Sequence, residues 1–269
     1  LVDADTRIVT GLVEPHFMAG YSGGRKVIAP GVAHHTTIRT FHSARFMEHP
    51  QARTCNLKGN PLHEEQLAIA EMLGRVLAIN VVLSETRELV DVNYGEVIAS
   101  HAESVAVAAR LSEVSVQRRF RTVVTSAAGY PLDKTYYQAV KGMVTPLDIL
   151  EPGGTLIIAA DCSEGLGSGD YRAAQERLLA LGDERFINAL TSKPLADVDE
   201  WQTEMQVKST RRGDVALYSE ALGEDHALTG VREVTDLAAE VAASIQRHGD
   251  TAVAVIPEGP YVVPFQAAG

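Results

Sequence analysis

The residues of the first fifth of the chain that could do chemistry are a lysine and two histidines around a glycine-rich run. In HFMAGYSGGRKVIAPG, His16 lies ten residues before Lys26, and His42 lies sixteen residues after it. A glycine pair lets backbone N–H groups converge on an anion, and Arg25 and Lys26 supply charge. The run therefore indicates an anion-binding loop, with a tight turn carrying solvated side chains as the alternative.

Common phosphate-binding motifs do not decide between the anion-binding loop and the tight turn. Lys26 is followed by Val27, which excludes the G-x-x-x-x-G-K-[ST] order of a P-loop, and the run contains no G-x-G-x-x-G. A three-histidine zinc site is a weaker alternative, because no H-E-x-x-H pattern supports it. Four further histidines of this region dilute the signal: His34, His35, His49 and His63.

A second polar group lies in GYPLDKTYYQAVKGM, directly after a predicted strand at 122–127. On the helix predicted there, Gln138 and Lys141 are three residues apart and share a face. Ligands of α/β proteins bind at the carboxyl ends of strands, where this helix begins. A solvated glutamine and lysine remain the alternative.

The elements that must position these residues alternate between strands and helices, which predicts an α/β fold with mixed or parallel sheets. We expect two α/β units, at 1–115 and 120–232, connected by the polar and basic stretch SEVSVQRRFR. The predicted strands are TRIVTGLVE, RVLAINVVLS, RELVDVNYG, TVVTSAAG, GGTLIIAADC, DVALYSEAL and TAVAVIP. The predicted helices are residues 36–46, NPLHEEQLAIAEML, VIASHAESVAVAARL, TYYQAVKGM, YRAAQERLLALG and VTDLAAEVAASIQRHG.

Composition limits the class of partner. The 269 residues carry a net charge of −11, which argues against a nucleic-acid or anionic-membrane surface and favours a small ligand or another protein. Two cysteines, Cys55 and Cys162, are too few for a disulfide framework and fit a reducing cytoplasm. No apolar run reaches the length of a membrane span. The oligomeric state is not specified by the sequence.

Four stretches in order, EPHFMAGYSGGRKVIAPGV, TFHSARFMEHP, GYPLDKTYYQAVKGM and DVDEWQ, resemble the nickel-pincer lactate racemase family. The likeness extends over nearly the whole chain and includes the spacings from Lys26 to His16, His42 and Lys141. It implies a racemase or epimerase of a lactate-like 2-hydroxy acid, which transfers a hydride to and from a nickel-pincer nucleotide. Separate biosynthetic enzymes would supply that cofactor.

The resemblance also implies roles for individual residues. Lys26 would be joined through a thioamide to a pyridinium-3-thioamide-5-thiocarboxylate mononucleotide, and His42 would complete the coordination of nickel. His16 would be an acid/base residue, with Gln138 and Lys141 holding and polarising the substrate. The remaining site residues would be the cofactor loop (Tyr21, Ser22, Gly23, Gly24 and Arg25) and the substrate pocket (Tyr137 and Trp201).

The resemblance to this family implies three structural features. His16, Lys26 and His42 should converge, and Gln138 and Lys141 should face them across a cleft between the units. The last helix and strand, within 233–269, should return to the first unit. Finally, the D-x-T-R-P motif and the second catalytic histidine of the family are not found here, so we expect the site to be incomplete in this chain.

Two other classes of function stay open at this stage. The chain could be a non-catalytic module that carries a cofactor or ligand. It could also be a nicotinamide-dependent oxidoreductase, although the missing dinucleotide fingerprint weighs against this.

Overall fold

The computed structural model describes residues 1–267 and divides the chain into two compact units, Leu1–Glu113 and Val114–Gly269. Both units combine helices with a sheet, as the alternating pattern predicts. The α/β prediction is therefore confirmed.

The first unit is built on a sheet of three strands. Strands β1 (Ile8–Leu12) and β4 (Leu77–Leu83) are parallel, and β5 (Leu89–Glu96) is antiparallel to β4. A small hairpin joins β2 (Pro15–His16) to β3 (Gly20–Tyr21). The helices are α1 (Arg25–Ile28), α2 (His35–Phe41), α3 (Ala44–Met47), α4 (Pro61–Met72) and α5 (Val97–Ser112).

Local sequence explains where α4 begins. The side chain of Asn60, the first residue of the predicted helix, accepts hydrogen bonds from the backbone amides of Leu62 at 3.0 Å and His63 at 3.4 Å, so Asn60 is the N-cap of α4. Pro61 occupies the first turn of α4, where a backbone N–H has no partner within the helix. The missing N–H of proline therefore costs no helical hydrogen bond. The predicted helix start is confirmed.

The helix predicted over 36–46 is interrupted in the structure. Helix α2 ends at Phe41, and α3 starts at Ala44. Between them, His42 leaves helical geometry with φ −93° and ψ 9°, and Ser43 is extended. The hydrophobic pattern continues across this break because both short helices bury an aromatic residue, Phe41 and Phe46, whose rings meet edge to face.

The second unit contains a parallel sheet of five strands, which are β7 (Phe120–Ser126), β8 (Leu150–Ala159), β9 (Asp214–Tyr218), β10 (Arg232–Val234) and β11 (Val253–Ile256). Their order in the sheet is β10-β9-β8-β7-β11. Its helices are α6 (Tyr136–Val144), α7 (Gly169–Leu181), α8 (Asp183–Thr191), α9 (Glu200–Arg212) and α10 (Leu237–His248), with two 3-10 turns at Thr145–Asp148 and Gly223–Leu228.

Two expectations about this unit need correction. The stretch predicted as a connection contains strand β6 (Glu113–Val116), which pairs with β12 (Val263–Gln266). The last helix and strand pack within the second unit and not, as expected, on the first: β11 pairs in parallel with β7, and α10 packs on β7 and β8. Hydrophobic periodicity identifies a strand but carries no information about its partner, which is why the sequence left this placement open.

Both cysteines, Cys55 and Cys162, are free thiols. Within residues 1–267, no helix combines the length and the apolar character that crossing a bilayer requires.

Candidate functional site

His16 ends strand β2 and has one ring nitrogen committed to the backbone. Its Nδ1 accepts a hydrogen bond from the amide of Ala19 at 3.2 Å, and the amide of Met18 lies at 3.5 Å. An imidazole that accepts at Nδ1 carries the proton of its neutral form on Nε2. His16 therefore presents an N–H at its outer nitrogen, and the ring stacks on Phe17 with centroids 4.9 Å apart.

His42 has the opposite arrangement. It caps the end of α2, and its Nδ1 lies 2.7 Å from the carbonyl oxygen of Ile38. Because a carbonyl only accepts, Nδ1 is the donor and Nε2 keeps its lone pair. A backbone carbonyl that orients an imidazole in this way is the usual outer partner of a metal-ligating histidine.

Lys26 lies in the short helix α1, directly after the glycine pair. Gly23 and Gly24 have φ values of 75° and 48°, where residues with a side chain are strained. A Cβ on Gly24 would lie 2.6 Å from the Cβ of His101, so the backbone passes too close to α5 for any larger residue. The amide of Gly24 donates to Asn80 Oδ1 at 3.0 Å, which ties the loop to the central strand β4.

Arg25 differs from the expectation that it supplies charge to a ligand. Its side chain is 1% exposed, and its guanidinium donates to the carbonyl oxygens of Ala19 and Tyr21, each at 2.9 Å. A third contact, also at 2.9 Å, joins it to His101 Nε2. Burial lowers the pKa of Arg25 to about 10, so the cation persists at neutral pH inside the unit. This placement favours a structural part for Arg25, which fixes the loop from within.

Tyr21 and Ser22 are likewise bound to their own unit. The Tyr21 hydroxyl donates to the Glu113 carboxylate, and burial raises the pKa of this phenol well above its ordinary value. Ser22 Oγ donates to the carbonyl of Leu12 at 2.7 Å and accepts from the amide of Glu14 at 3.0 Å. Both side chains therefore shape the loop, while the half-buried Lys26 is the cation that follows it.

His101 is a residue of this loop that motif reasoning missed. It is 3% exposed, and its Nε2 also lies 2.9 Å from the carbonyl of Ser22. Burial, followed by the Arg25 cation, lowers the pKa of His101 to about 3 and that of His63 to about 4. A signal exists in the sequence, because the buried face of α5 consists mainly of small residues spaced three and four apart around His101: Val97, Ser100, Ser104, Ala108 and Ser112.

In the second unit, α6 confirms the predicted helix and carries the polar pair. Thr135 caps it by accepting from the amide of Gln138 at 3.3 Å. Gln138 and Lys141 are both half-buried and lie three residues apart, on one stripe of the helix. The opposite face is buried in the unit and consists of Tyr136, Ala139, Val140, Met143 and Val144.

Tyr137 and Trp201 form a hydrogen-bonded pair. The indole Nε1–H of Trp201, on α9, donates to the Tyr137 hydroxyl at 2.9 Å. Gln202 Nε2 donates to the Tyr137 carbonyl at 2.7 Å and fastens α9 to α6. Burial raises the pKa of Tyr137 to about 12; the Trp201 bond lowers it, and the Asp199 carboxylate raises it. Sequence periodicity missed α9 because its buried face is mostly polar.

The structure thus assigns the predicted residues to two groups. His16, Lys26 and His42 belong to the first unit, and Gln138, Lys141, Tyr137 and Trp201 belong to the second. The convergence of the first group, and its meeting with the second across a cleft, stay predictions. Nowhere in residues 1–267 do three histidine, cysteine or acidic side chains form a group that could hold a metal ion.

Comparison with known proteins gives matches in both units. The family models described as the lactate racemase N-terminal domain and C-terminal domain match residues 1–55 and 116–263. The chain is 30% identical to a lactate racemase of Thermoanaerobacterium thermosaccharolyticum, over 97% of this chain and 62% of the relative. For a lactate racemase of Lactiplantibacillus plantarum the identity is 31%, over 96% and 61%. The chain therefore spans about three fifths of the length of these relatives.

Solved structures agree with this likeness. The lactate racemase apoprotein of T. thermosaccharolyticum superposes with a TM-score of 0.92 at 28% identity, over 98% of this chain and 63% of that one. A Thermotoga maritima protein shares the fold, with a TM-score of 0.64 at 17% identity, over 98% and 67%. Since the C-terminal-domain model alone matches more than half of the residues, this chain belongs to the lactate racemase family.

Proposed function

We propose that this chain carries the cofactor-binding and substrate-binding residues of a racemase that acts on a 2-hydroxy acid by hydride transfer. The proposal depends on the two histidines that precede and follow Lys26 in the sequence, because their Nδ1 atoms have opposite hydrogen-bonding roles. His16 accepts from a backbone amide there, and His42 donates to a backbone carbonyl. His16 thereby carries an N–H at Nε2 that can donate a hydrogen bond to a substrate oxygen, and His42 carries a lone pair at Nε2 that can ligate a metal.

The residues of the first unit fit a nickel-pincer nucleotide tethered at Lys26. Imidazole is a suitable ligand for nickel, and the Nδ1 bond to the Ile38 carbonyl places the lone pair of the neutral His42 ring on Nε2. The glycine pair holds the loop that precedes Lys26 tightly against its own unit, since a Cβ at Gly23 would lie 2.5 Å from Val13 and one at Gly24 2.6 Å from His101. When bound, this group supplies the hydride acceptor that the reaction requires.

His16 is the acid/base residue in this proposal. The acid/base step uses the tautomer with the proton on Nδ1, which forms when the hydrogen bond from the Ala19 amide opens: Nε2 then takes the proton of the substrate hydroxyl, and the ring becomes an imidazolium. In the reverse direction, the imidazolium gives its Nε2 proton to the oxygen of the ketoacid and returns to the neutral form. A positioned acid/base residue of this kind contributes about 10²-fold to 10⁴-fold to the rate.

Residues of the second unit bind the substrate. The Lys141 ammonium stabilises negative charge on the substrate carboxylate or on the oxygen that loses its proton. Gln138, one turn earlier on the same stripe, orients the substrate by hydrogen bonds, and the Tyr137–Trp201 pair receives the side chain at Cα. Fixing the acid in one orientation lowers the entropic cost of the hydride step.

The decisive experiment is an intact-mass measurement on protein produced together with the biosynthetic enzymes of the cofactor. We expect a nucleotide-sized mass increase that maps to Lys26 and disappears in the Lys26→Arg variant. Exchange of the Cα hydrogen of a 2-hydroxy acid is then measured on the same sample. An adduct without exchange would support a cofactor-carrying module instead, and saturable NADH binding without an adduct would support an oxidoreductase.

A further inference from the structure

Beside Tyr137, the second unit contains a cavity of about 380 Å³ with a polar wall. It is lined by Thr135, Tyr137, Glu164, Gly167, Ser168 and Asp199. Gly167 permits the close approach of the wall to the ring, because a Cβ there would lie 3.1 Å from the Cβ of Tyr137. The cavity is therefore a feature of the fold around Tyr137.

Asp199 is one of the two carboxylates of this wall, with Glu164. Ser168 Oγ donates to Asp199 Oδ2 at 2.5 Å, and the Asp199 carboxylate raises the pKa of Tyr137, whose hydroxyl accepts from Trp201. The Ser168 bond occupies one of the roughly four lone-pair positions that a carboxylate offers. Asp199 therefore keeps acceptor capacity for a ligand in the cavity that it lines.

The backbone of Asp199 is also unusual. Its φ of 63° lies in the left-handed region, which costs energy for any residue with a side chain. Aspartate and asparagine tolerate this region better than other such residues. The fold thus holds a carboxylate at this position, directly before α9 begins at Glu200.

The cavity lies beside the residues that we propose for substrate binding. Tyr137 and Lys141 are four residues apart on α6, so they are neighbours on one face, about 5–6 Å apart at their Cβ atoms. An acid whose carboxylate or oxygen is held at Lys141 therefore directs a short Cα side chain toward Tyr137 and the cavity.

We propose that Asp199 is a specificity-determining residue, which selects a 2-hydroxy acid whose side chain ends in a hydrogen-bond donor, a hydroxyl or an ammonium group. This inference rests on the proposed function and names its substrate class. The methyl group of lactate has no donor for the carboxylate and fills little of the cavity. Within the described part of the chain, the residues lining the cavity include no lysine or arginine, so an anionic side chain is disfavoured.

The test uses the fluorescence of Trp201, the single tryptophan of the chain, whose indole is bonded to Tyr137. The cofactor-loaded protein is titrated with lactate and with 2,3-dihydroxypropanoate, which differs from lactate by one hydroxyl at the side chain. We expect the second acid to bind roughly 10-fold to 100-fold more tightly, which is the range of one hydrogen bond to a charged group. 3-Amino-2-hydroxypropanoate is expected to bind at least as tightly as the dihydroxy acid.

The Asp199→Asn variant is the informative one, because asparagine keeps the size and the left-handed backbone while removing the charge. We expect it to lose most of the preference for the two donor-bearing acids while retaining the affinity for lactate. Glu176→Gln, which removes an exposed carboxylate of α7 outside the cavity, should change neither affinity.

Equal affinity for lactate and the dihydroxy acid, or an unchanged preference in Asp199→Asn, would overturn the assignment. Absence of any fluorescence response to all three acids would do the same. These results are separate from a failure of the proposed function, which appears as a missing adduct at Lys26 and missing hydrogen exchange at Cα.

Discussion

His42 donates its Nδ1–H to the carbonyl oxygen of Ile38 at 2.7 Å, four residues earlier on the helix that it caps. This bond fixes the proton of the neutral ring on Nδ1, because its acceptor is a carbonyl oxygen at the end of helix α2. The acceptor is a backbone atom, so the side chain at position 38 does not supply it, and the bond forms where α2 ends, before α3 begins at Ala44.

We therefore predict that His42→Asn abolishes nickel retention by the cofactor-loaded protein without removing the adduct at Lys26. Asparagine can preserve a bond to the backbone but lacks the outer ring nitrogen. The measurement is nickel content by mass spectrometry beside intact mass. His35→Asn, at an exposed histidine of the same helix, is the control and should keep its nickel. Equal nickel in both variants would remove His42 from the site.

His101 should stabilise the first unit by accepting from Arg25: the guanidinium only donates, so Nε2 of the neutral ring is its acceptor and does not also donate to the Ser22 carbonyl, which lies 2.9 Å from the same nitrogen. Removing its ring leaves a buried guanidinium donor unpaired, since Nε2 is one of three contacts of this cation. We expect His101→Leu to lower the free energy of unfolding by about 3 kcal/mol. In His101→Gln the amide can accept from Arg25 and donate to Ser22, so the loss should be smaller. Urea unfolding of the variants is the measurement, and equal losses would contradict this reading.

The same histidine predicts acid sensitivity. Its pKa is lowered from 6.5 to about 3, chiefly by burial and then by Arg25, so the folded state binds fewer protons than the unfolded state between these values. The stabilisation is complete above pH 6.5 and is lost as the pH falls toward 3. One proton corresponds to a slope of about 1.4 kcal/mol per pH unit.

Urea unfolding at several pH values checks this slope. His101→Gln should show a flatter dependence between pH 6 and 4 than the parent chain, because glutamine does not titrate. His63, whose pKa is also lowered, to about 4, will leave part of the dependence in the variant. Parallel curves for the two proteins would show that His101 does not titrate on unfolding.

The close packing around Gly24 can be tested by comparison with Gly74, which also has a positive φ but has open space around it. Gly24→Ala places a Cβ 2.6 Å from His101, at φ 48°, whereas Gly74→Ala at φ 69° meets nothing within 4 Å. We expect a loss of about 1 kcal/mol for Gly74→Ala, from backbone strain alone, and about 3 kcal/mol for Gly24→Ala. Thermal or urea unfolding measures both. Similar losses would mean that α5 can move away from the loop.

The sequence predicted most elements of both units, because buried apolar residues recur at a regular spacing in strands and in amphipathic helices. Helix α9 escaped this reasoning: the buried side chains Gln202, Thr203 and Gln206 do not show an apolar period. In α9, hydrogen bonds to other elements take the place of apolar packing. An example is the bond from Gln206 Nε2 to the Thr229 carbonyl at 2.6 Å. Strand partners were also beyond the sequence, since β11 joins β7 over a separation of more than a hundred residues.

The candidate site shows a similar division. Residue types and spacing singled out His16, Lys26, His42, Gln138 and Lys141, because reactive side chains are visible in a sequence, and the roles that the family resemblance implies for them stay predictions. The inward direction of Arg25 was not predictable, since it depends on His101, which is 76 residues away on α5. Asp199 was hidden for the same reason, because Ser168, which donates to it, and Tyr137, whose pKa it raises, come from distant elements.

Lys141 provides the last prediction. In the proposed reaction its ammonium stabilises charge that develops on substrate oxygen, so Lys141→Met should lower kcat/KM for a 2-hydroxy acid by about 10²-fold to 10³-fold. Methionine retains the length of the side chain, and position 141 is only half-buried, so we expect the free energy of unfolding to change by less than about 1 kcal/mol. Lys58→Met, at an exposed lysine of the first unit, is the control. A Lys141→Met protein that exchanges the Cα hydrogen at the parent rate would exclude this lysine from catalysis, because no other change in the variant compensates for the lost charge.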